Sequence, residues 1–198
     1  MKKGFHLLPP HLHKEKNLNK VNLRDRFRKI RSNISPSRRA EAEELCFAFL
    51  MSNLPHEARV LSFATKEGEI DLWQINKLLL EEGRLLLPKV VDNHLDCYKI
   101  SSLEGLILSP YSILEPDPLL CEKASFDQID VVLVPGLCFD DLSSRIGYGK
   151  GHYDRLLSLL KKENPDVFFW GVGFKEQRSD ETIETAFHDQ TLDQVFLF

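Results

Sequence analysis

The sequence lacks the features that mark disulfide-linked, zinc-binding and membrane-spanning chains. Its four cysteines, at positions 46, 97, 121 and 138, form no C-x-x-C pair and have no metal-ligand spacing, so buried reduced thiols are expected. No run of 18 or more apolar residues occurs, and the short segment Phe5-His6-Leu7-Leu8 is followed at once by Pro9 and Pro10. We therefore predict a cytoplasmic protein with neither a membrane span nor a secretory leader.

Internal repeats, low-complexity tracts and linkers are also missing. A chain of 198 residues that is 42% hydrophobic and 28% charged is expected to form one domain with a sizeable core. Two common nucleotide-binding motifs are absent as well: the G-x-G-x-x-G of a dinucleotide fold and the G-x-x-x-x-G-K-[ST] P-loop. Neither of these ways of binding phosphate can be assumed.

Basic residues are scarce beyond the N-terminal fifth of the chain. Residues 1–40 contain 12 lysines and arginines and only two acidic residues, a local charge of +10, whereas the remainder has 14 basic and 28 acidic residues. A basic arm of this kind could bind nucleic acid, membrane lipid or a phosphorylated small molecule.

The basic arm has the periodicity of a helix that packs on one face. Apolar residues recur at intervals of four, three and four residues, which predicts a buried stripe of Leu23, Phe27, Ile30 and Ile34. A basic stripe lies beside it, formed by Lys20, Arg24, Arg28 and Arg31. These side chains are expected at the junction of the helix with the body of the protein, and a solvated basic surface is favoured for Arg28 and Arg31.

Alternating helices and strands predict a parallel sheet. After Ser35 as N-cap and Pro36, a helix is predicted to residue 53. Residues 59–64 then predict a strand, and residues 71–80 a helix with a capping box of Asp71 and Gln74 and a terminal Gly83. Further strands are predicted at residues 85–91, 131–134, 167–174 and 195–198. The expected fold is a single-domain α/β protein, a Rossmann-like three-layer sandwich with a mostly parallel central sheet flanked by helices and a basic N-terminal helix.

A glycine-rich loop follows the most apolar strand. Gly147, Gly149 and Gly151 stand at alternate positions, Lys150 lies among them, and residues 152–162 have the leucine pattern of a helix. Backbone N–H groups of such a loop and the helix N-terminus favour an anion. Arg145 and Lys150 add cations, and Asp154 adds a potential Mg²⁺ ligand. From the residues alone, a phosphate or nucleotide site and a structural loop both remain open.

The motif V-P-G-L-C-F-D-x-x-x-x-R-I-G-Y-G-K-G-H-Y-D-R, which begins at Val134, resembles the signature of the 5-formyltetrahydrofolate cyclo-ligase family, V-P-G-x-A-F-D-x-x-G-x-R-L-G-x-G-x-G-Y-Y-D. Five further segments match the family in the same order: K-x-x-L-R from Lys20, G-E-I-D from Gly68, E-P at Glu115, F-K-E-Q from Phe174 and H-D at His188. The resemblance covers about residues 18–198 and implies a cyclo-ligase domain there, preceded by an extension of residues 1–17.

The resemblance implies ATP- and Mg²⁺-dependent cyclisation of 5-formyltetrahydrofolate to 5,10-methenyltetrahydrofolate, with release of ADP and phosphate through an iminium phosphate. It assigns catalysis to Arg145, Lys150 and Tyr153. It implies ATP binding by Lys20, Arg24, Arg145, Gly147, Gly149, Lys150, Gly151 and Tyr153. It implies folate binding by Ala64, Glu69, Tyr148, Gly149, Lys150, Gly151 and His152. Mg²⁺ would be held by Asp154 and Asp189.

Three residues depart from the family motif, and two other functions remain open. Ser143 stands where the family has glycine, Tyr148 occupies a variable position that is often Gly or Arg, and His152 replaces a tyrosine. The alternatives are a catalytically silent folate- or nucleotide-binding module and an RNA-binding protein that uses the basic helix. The expected partners are the small molecules ATP and reduced folate, without nucleic acid or membrane, and the expected assembly is a monomer or weak homodimer.

Overall fold

A computed structural model describes residues 10–110, 112–186 and 189–198, with side chains from residue 19 onward. The helices are α1 (Pro10–Ser32), α2 (Pro36–Asn53), α3 (Trp73–Glu81) and α4 (His152–Glu163). The strands are β1 (Val60–Leu61), β2 (Leu85–Val91), β3 (His94–Lys99), β4 (Leu106–Leu108), β5 (Leu114–Pro116), β6 (Glu122–Lys123), β7 (Val131–Val134), β8 (Cys138–Phe139), β9 (Arg145–Ile146), β10 (Phe168–Gly173) and β11 (Gln194–Leu197).

The central sheet is mostly parallel, as predicted. Its strand order is β11-β10-β7-β1-β2-β3-β6. The first five of these strands run parallel, whereas β3 pairs antiparallel with β2 and β6 with β3. Two small hairpins, β4-β5 and β8-β9, lie outside it. The predicted α/β fold class is confirmed.

The direction of strand progression reverses between β1 and β7. From β1 the chain moves to β2 and β3 on one side, and later to β7, β10 and β11 on the other. In open α/β sheets the carboxyl ends of strands on either side of such a reversal border a crevice that receives ligands. Here the loop after β1 carries Glu69, and the segment after β7 carries the glycine-rich loop.

Two apolar layers sandwich the sheet, because side chains of buried strands alternate between its faces. Val131 and Leu133 of β7 pack with α2 and α3 in one core cluster, and Val132 and Val134 pack with α4 in the other. Burying each such side chain stabilises the fold by roughly 1.5–3 kcal/mol before the entropy of ordering it is subtracted. The three layers therefore follow from the period-2 pattern of the strands.

Helix α1 packs beside the glycine-rich segment through the predicted apolar stripe. Leu23 and Phe27 are 3% and 1% exposed and join Cys138, Ile146 and Ile183 in a third cluster. The helix begins at Pro10 and therefore runs through the predicted boundary between residues 17 and 18. Residues 1–9, the start of the predicted extension, lie outside the described ranges.

Two predicted elements differ in their bounds. Strand β1 is only Val60–Leu61, because the carbonyl of nearby Phe63 accepts a hydrogen bond from the Asn76 side chain, 3.1 Å away. Helix α3 begins at Trp73 without a side-chain cap, so the predicted capping box is wrong. Asp71 accepts hydrogen bonds from the Trp73 N–H and the Thr65 hydroxyl instead. Gly83 has φ +68°, the left-handed conformation expected of a residue that ends a helix.

The cysteines are unpaired, as predicted. Cys46, Cys97 and Cys138 are buried, and burial raises the pKa of each thiol to about 12. Cys121 is half-buried, and its Sγ lies 3.1 Å from the carbonyl of Gly105. Three of the four cysteines therefore act as small apolar core residues.

Candidate active site

The glycine-rich loop joins the β8-β9 hairpin to the N-terminus of α4. Gly149 and Gly151 have φ +104° and +65°, so the backbone takes left-handed conformations at two of its three glycines. Gly151 is the N-cap residue of α4 and offers no side chain to cap it. The helix N-terminus therefore faces the loop and favours negative charge there.

Arg145 and Asp154 form an ion pair beside this loop, in which the arginine side chain is buried and the aspartate is partly exposed. The Arg145 Nη2 donates to Asp154 Oδ1 at 2.7 Å, and the arginine side chain is only 3% exposed. Burial lowers the pKa of Arg145, and Asp154 opposes that shift. A Cβ on Gly147 would lie 2.9 Å from Arg145 Nη1, so only glycine lets the guanidinium sit this close. Tyr153 contributes its ring, 5.8 Å from that guanidinium.

Two cations of α1 reach the same place from the far end of the sequence. The Arg24 Nε donates to the carbonyl of Gly147 at 3.0 Å. The Lys20 Nζ lies 2.5 Å from Asp189 Oδ2. The structure thus brings together Lys20, Arg24, Arg145, Asp154 and Asp189, as the sequence predicts; His188, the neighbour of Asp189 in the family motif, lies outside the described residues.

The structure corrects the position predicted for Arg31. Its predicted position on a solvated basic surface is wrong, because the residue is 5% exposed and its Nη1 donates to the Tyr148 hydroxyl at 2.8 Å. Arg28 is exposed and pairs with Asp25, as expected. The signal was present in the sequence, since Arg31 follows the buried Phe27 by four residues and so lies on the same face of α1.

Glu69 meets the glycine-rich loop at the crevice between β1 and β7. Its Oε1 accepts the Tyr148 hydroxyl at 2.7 Å, and its Oε2 accepts the N–H of Lys66 at 2.9 Å. Burial raises the pKa of Glu69, and the two hydrogen bonds oppose that rise. The pKa of the Tyr148 phenol is raised by burial first and by Glu69 second. Two residues predicted for folate binding are therefore in direct contact.

The other predicted site residues border this cluster. Ala64 is half-buried and follows β1, and Lys150 is exposed at the tip of the loop. The carbonyl of Lys150 accepts a hydrogen bond from Arg155 at 2.9 Å. His152 is the first residue of α4; burial and then the charges of Arg155 and Lys150 lower its pKa, which favours the neutral imidazole.

Asp140 supports the loop and was not singled out from the sequence. It is 6% exposed, and its carboxylate accepts three backbone N–H groups, those of Leu142 and Ser144 at 3.0 and 2.8 Å and that of Ile183 at 2.8 Å. These bonds shape the turn between β8 and β9 and tie it to the segment that leads to Asp189. The aspartate of the F-D pair in the motif therefore has a structural role that only the folded chain makes visible.

The Glu115-Pro116 pair belongs to β5, which packs against β2. Glu115 is 7% exposed, and burial raises the pKa of its carboxyl. Lys89 of β2 opposes this rise from 3.7 Å. A buried carboxyl and a lysine thus lie on the flank of the sheet beyond β1.

Ser143, which stands where the family motif has glycine, has a backbone conformation that favours glycine. It has φ +59°, which costs an L-residue roughly 1–2 kcal/mol relative to glycine. Ser143→Gly should stabilise the protein by about 0.5–1 kcal/mol after the entropy of glycine is subtracted, measured as a higher urea midpoint. Ser158→Gly, on the exposed face of α4, is the matched control and should lower the midpoint. Destabilisation by both variants would contradict this account.

Asp154 and Asp189 have the donor chemistry that Mg²⁺ requires. Both carboxylates are partly exposed, at 22% and 19% of the side chain, and both act electrostatically on Arg145. Nowhere in the described ranges do His, Cys, Asp and Glu gather in a group of three or more that could hold a metal. A magnesium ion that keeps several waters and binds phosphates needs only one or two protein carboxylates, so this pair fits the ion.

Fold and site together define an α/β protein with a cation-lined glycine-rich loop at a strand-order reversal. The sequence profile of the 5-formyltetrahydrofolate cyclo-ligase family matches residues 16–197. The chain therefore belongs to the 5-formyltetrahydrofolate cyclo-ligase family.

Individual relatives agree with this assignment. The chain is 28% identical to the mouse 5-formyltetrahydrofolate cyclo-ligase over 69% of its own length and 71% of the relative's. It is 32% identical to a probable 5-formyltetrahydrofolate cyclo-ligase of Schizosaccharomyces pombe over 58% of its length and 62% of the relative's. It also resembles the solved 5,10-methenyltetrahydrofolate synthetase of Aquifex aeolicus, with TM-score 0.77 and 30% identity, covering 89% of this chain and 88% of that one. The Mycoplasma pneumoniae enzyme structure, at 19% identity and TM-score 0.69, shares the fold.

Proposed function

We propose that the protein catalyses the ATP- and Mg²⁺-dependent cyclisation of 5-formyltetrahydrofolate to 5,10-methenyltetrahydrofolate, with release of ADP and phosphate. The observation that carries the proposal is the placement of residues 145–151. Within this one loop Arg145 pairs with Asp154, the Gly147 carbonyl accepts a hydrogen bond from Arg24, and the Tyr148 hydroxyl bonds Glu69. A reaction that transfers a phosphoryl group from ATP to a folate needs both substrates at one point.

The phosphate half of the site is built from cations and glycine backbone. Arg145, Arg24, Lys20 and Lys150 would hold the triphosphate, together with the N–H groups of Gly147, Gly149 and Gly151 and the ring of Tyr153. Phosphoryl transfer depends mainly on positioning and on neutralising charge, and these groups supply both. Asp154 and Asp189 would hold Mg²⁺, which when bound would neutralise charge on the β- and γ-phosphates.

The folate half lies at the carboxyl end of β1. Ala64 and Glu69 would contact the pterin and the formyl group from one side, and Tyr148, Gly149, Lys150, Gly151 and His152 would contact them from the loop. Glu69 is partly enclosed and can accept hydrogen bonds from the N–H groups of a pterin. The neutral imidazole favoured at His152 would offer a flat, uncharged surface to that ring.

The chemistry proceeds in two steps. The formamide oxygen attacks the γ-phosphorus, and the bond to the β-phosphate oxygen breaks. ADP departs, and the folate becomes an iminium phosphate. N10 then attacks the activated carbon and loses its proton, the carbon–oxygen bond breaks, and inorganic phosphate departs with the former formyl oxygen and takes up that proton. Arg145 and Lys150 would stabilise the charge on the transferring phosphoryl group, because both belong to the loop that would hold it.

Two other functions are less well supported. A catalytically silent binding module would not need a full set of cations and carboxylates in one crevice. RNA binding by α1 is disfavoured because Lys20, Arg24 and Arg31 turn inward to bond Asp189, the Gly147 carbonyl and Tyr148. Arg28 alone of the predicted basic stripe is exposed.

Location and assembly stay predictions. No helix in the described part of the chain combines the length and apolarity needed to cross a membrane. We propose a cytoplasmic enzyme because its thiols are unpaired, although one relative, from Arabidopsis thaliana, is named as mitochondrial. We propose a monomer or weak homodimer. No role in the site is proposed for the extension of residues 1–17.

One assay tests the proposal. The protein is mixed with ATP, Mg²⁺ and 5-formyltetrahydrofolate, and the near-ultraviolet absorbance of the methenyl product is followed. Product should form only when all three are present, with one ADP released per turnover. Folate binding without product would favour the silent module, and a gel shift with RNA in the absence of turnover would favour the RNA-binding function.

Asp189→Asn tests the metal assignment. The Mg²⁺ concentration for half-maximal rate should rise about tenfold, because an amide is a weaker ligand for a hard cation than a carboxylate, while the KM for folate changes little. Asp180→Asn, at an exposed position, should leave both constants unchanged. If the two constants of Asp189→Asn rise together, Asp189 serves folding or the folate instead.

A further inference from the structure

Arg31 is a buried cation that the proposed reaction does not use. It lies near the C-terminal end of α1, 5% exposed, with its Nη1 2.8 Å from the Tyr148 hydroxyl and 3.5 Å from the carbonyl of Gly136. Its Nε is buried without a hydrogen-bond partner. Burying a guanidinium is costly unless it is paired and hydrogen-bonded, and an apolar side chain in the place of a buried charge is often at least as stable.

The hydrogen bonds around Tyr148 have a fixed direction. A guanidinium can only donate, so the Tyr148 oxygen must accept from Arg31. The single phenolic hydrogen is then directed to Glu69 Oε1 at 2.7 Å. Arg31, Tyr148 and Glu69 therefore form a chain of donors that ends on a carboxylate oxygen, and such chains strengthen each member by polarisation.

Arg31 is itself held in place through both its side chain and its backbone. A Cβ on Gly68 would lie 3.2 Å from its Nη2, so the missing side chain at Gly68 lets the guanidinium rest against the loop that carries Glu69. Gly68 has φ +83°, which further restricts that position to glycine. The backbone carbonyl of Arg31 accepts a hydrogen bond from Arg39 Nη2. The guanidinium thus contacts both loops that border the crevice.

We propose that Arg31 is a positioning residue of the folate site: it orients the Tyr148 hydroxyl, which holds the Glu69 carboxylate in the orientation that receives the substrate. The inference rests on the proposed function and adds to it a residue that lies outside the predicted ATP and folate contacts. We call the hydrogen bonds from Arg31 to Tyr148 and from Tyr148 to Glu69 the relay. The relay would reduce the reorganisation that Glu69 undergoes when folate binds, which is the usual benefit of fixing a binding group in advance.

The electrostatics of Glu69 agree with this arrangement. The groups that face it are Tyr148, the N–H and the ammonium of Lys66, Arg31 and, at longer range, Tyr153. Burial raises the pKa of Glu69, whereas Tyr148, Lys66 and Arg31 each lower it. Removing the phenolic hydrogen or the guanidinium should therefore raise the pKa of Glu69 further and extend its protonated range to higher pH.

Two variants separate positioning from packing. Tyr148→Phe removes only the hydroxyl, and Arg31→Met keeps much of the volume without the charge. Both should lower kcat/KM for 5-formyltetrahydrofolate by about tenfold or more, since a hydrogen bond to a charged group is lost, while the KM for ATP changes less than about twofold. Arg31→Lys should recover part of the loss, because an ammonium can still donate to the phenol. Arg28→Met, on the exposed face of α1, is the matched control and should match the wild type.

A double-mutant cycle tests whether Tyr148 acts through Glu69. In a Glu69→Ala background, Tyr148→Phe should have little further effect on kcat/KM, because the variant keeps the ring that would contact the folate and removes only the hydroxyl that bonds Glu69. Equal effects in both backgrounds would mean that the hydroxyl acts on the folate independently of Glu69, and would overturn the relay. A purely structural Arg31 would instead lower the melting temperature in Arg31→Met and leave the kinetic constants of the folded enzyme unchanged.

A readout without turnover keeps this inference separate from the proposed function. The ¹³C NMR titration of the Glu69 carboxyl, assigned by its loss in Glu69→Gln, should move to higher pH in Tyr148→Phe and in Arg31→Met. Wild-type turnover with no such movement would overturn the relay alone. Movement of the titration in a protein that does not turn over 5-formyltetrahydrofolate would overturn the proposed function and retain the relay. If Arg31→Met does not fold, the kinetic constants and the Glu69 titration of Tyr148→Phe test the relay by themselves.

Discussion

Replacing Lys20 and Arg24 together with alanine is expected to raise the KM for ATP by about 30- to 1,000-fold, which corresponds to the loss of roughly 2–4 kcal/mol from two charge-assisted contacts. The effect on the KM for folate should be smaller, since these side chains lie against Asp189 and Gly147 and not against Glu69. Steady-state kinetics with each substrate varied in turn measures the difference. Leu23 and Phe27 keep α1 packed, so the fold should survive.

The control removes the same charge from the same helix. Arg28→Ala with Lys29→Ala changes two exposed residues of α1 and should leave both KM values near those of the wild type. Unchanged ATP dependence in the Lys20 and Arg24 double variant would refute the phosphate assignment. Loss of RNA binding in that variant would then favour the basic helix as an RNA-binding element.

Lys150→Ala is expected to lower kcat by about 100- to 1,000-fold, the usual consequence of removing one group that stabilises transition-state charge. Lys150 is exposed at the tip of the glycine-rich loop, so its truncation should cost little stability. Rapid-quench measurement of ADP formation would show whether the transfer step itself slows. The KM for folate should change less than kcat.

Lys162→Ala, in the last turn of α4, provides the comparison for this variant. It removes an exposed lysine of the same charge away from the loop and should leave kcat unaltered. A Lys150→Ala enzyme with wild-type turnover would mean that this cation is incidental, and Arg145 would then have to provide the charge stabilisation without it.

Most of the fold could be predicted from periodicity, because its elements are strongly patterned. The strand at Leu85–Val91 and the helix after Pro36 have the predicted bounds. Strand β1 was predicted too long and α3 to begin too early, since both ends depend on contacts made after folding. The Phe63 carbonyl bonds Asn76, and the Asp71 side chain bonds Thr65.

The candidate site was predictable as a set of residues but not as a set of contacts. The motif and the basic stripe indicated Arg145, Asp154, Lys20 and Arg24 without indicating their partners. The bond between Tyr148 and Glu69 spans 79 positions, and no local pattern encodes it. The burial of Arg31 required knowledge of which side of α1 meets the loop. The left-handed backbone of Ser143 is likewise a property of the folded turn.

The way in which α1 is attached also affects the dynamics of the site. One helix brings Lys20, Arg24 and Arg31 to it, and a small apolar cluster centred on Leu23 and Phe27 fixes that helix to the glycine-rich segment. Local opening of this cluster would remove all three cations at once, so the nucleotide contacts and the relay to Glu69 belong to one cooperative unit. A ligand that binds only the docked state stabilises it by mass action. ATP alone would therefore slow amide exchange along α1 and at the same time order the residues that receive the folate.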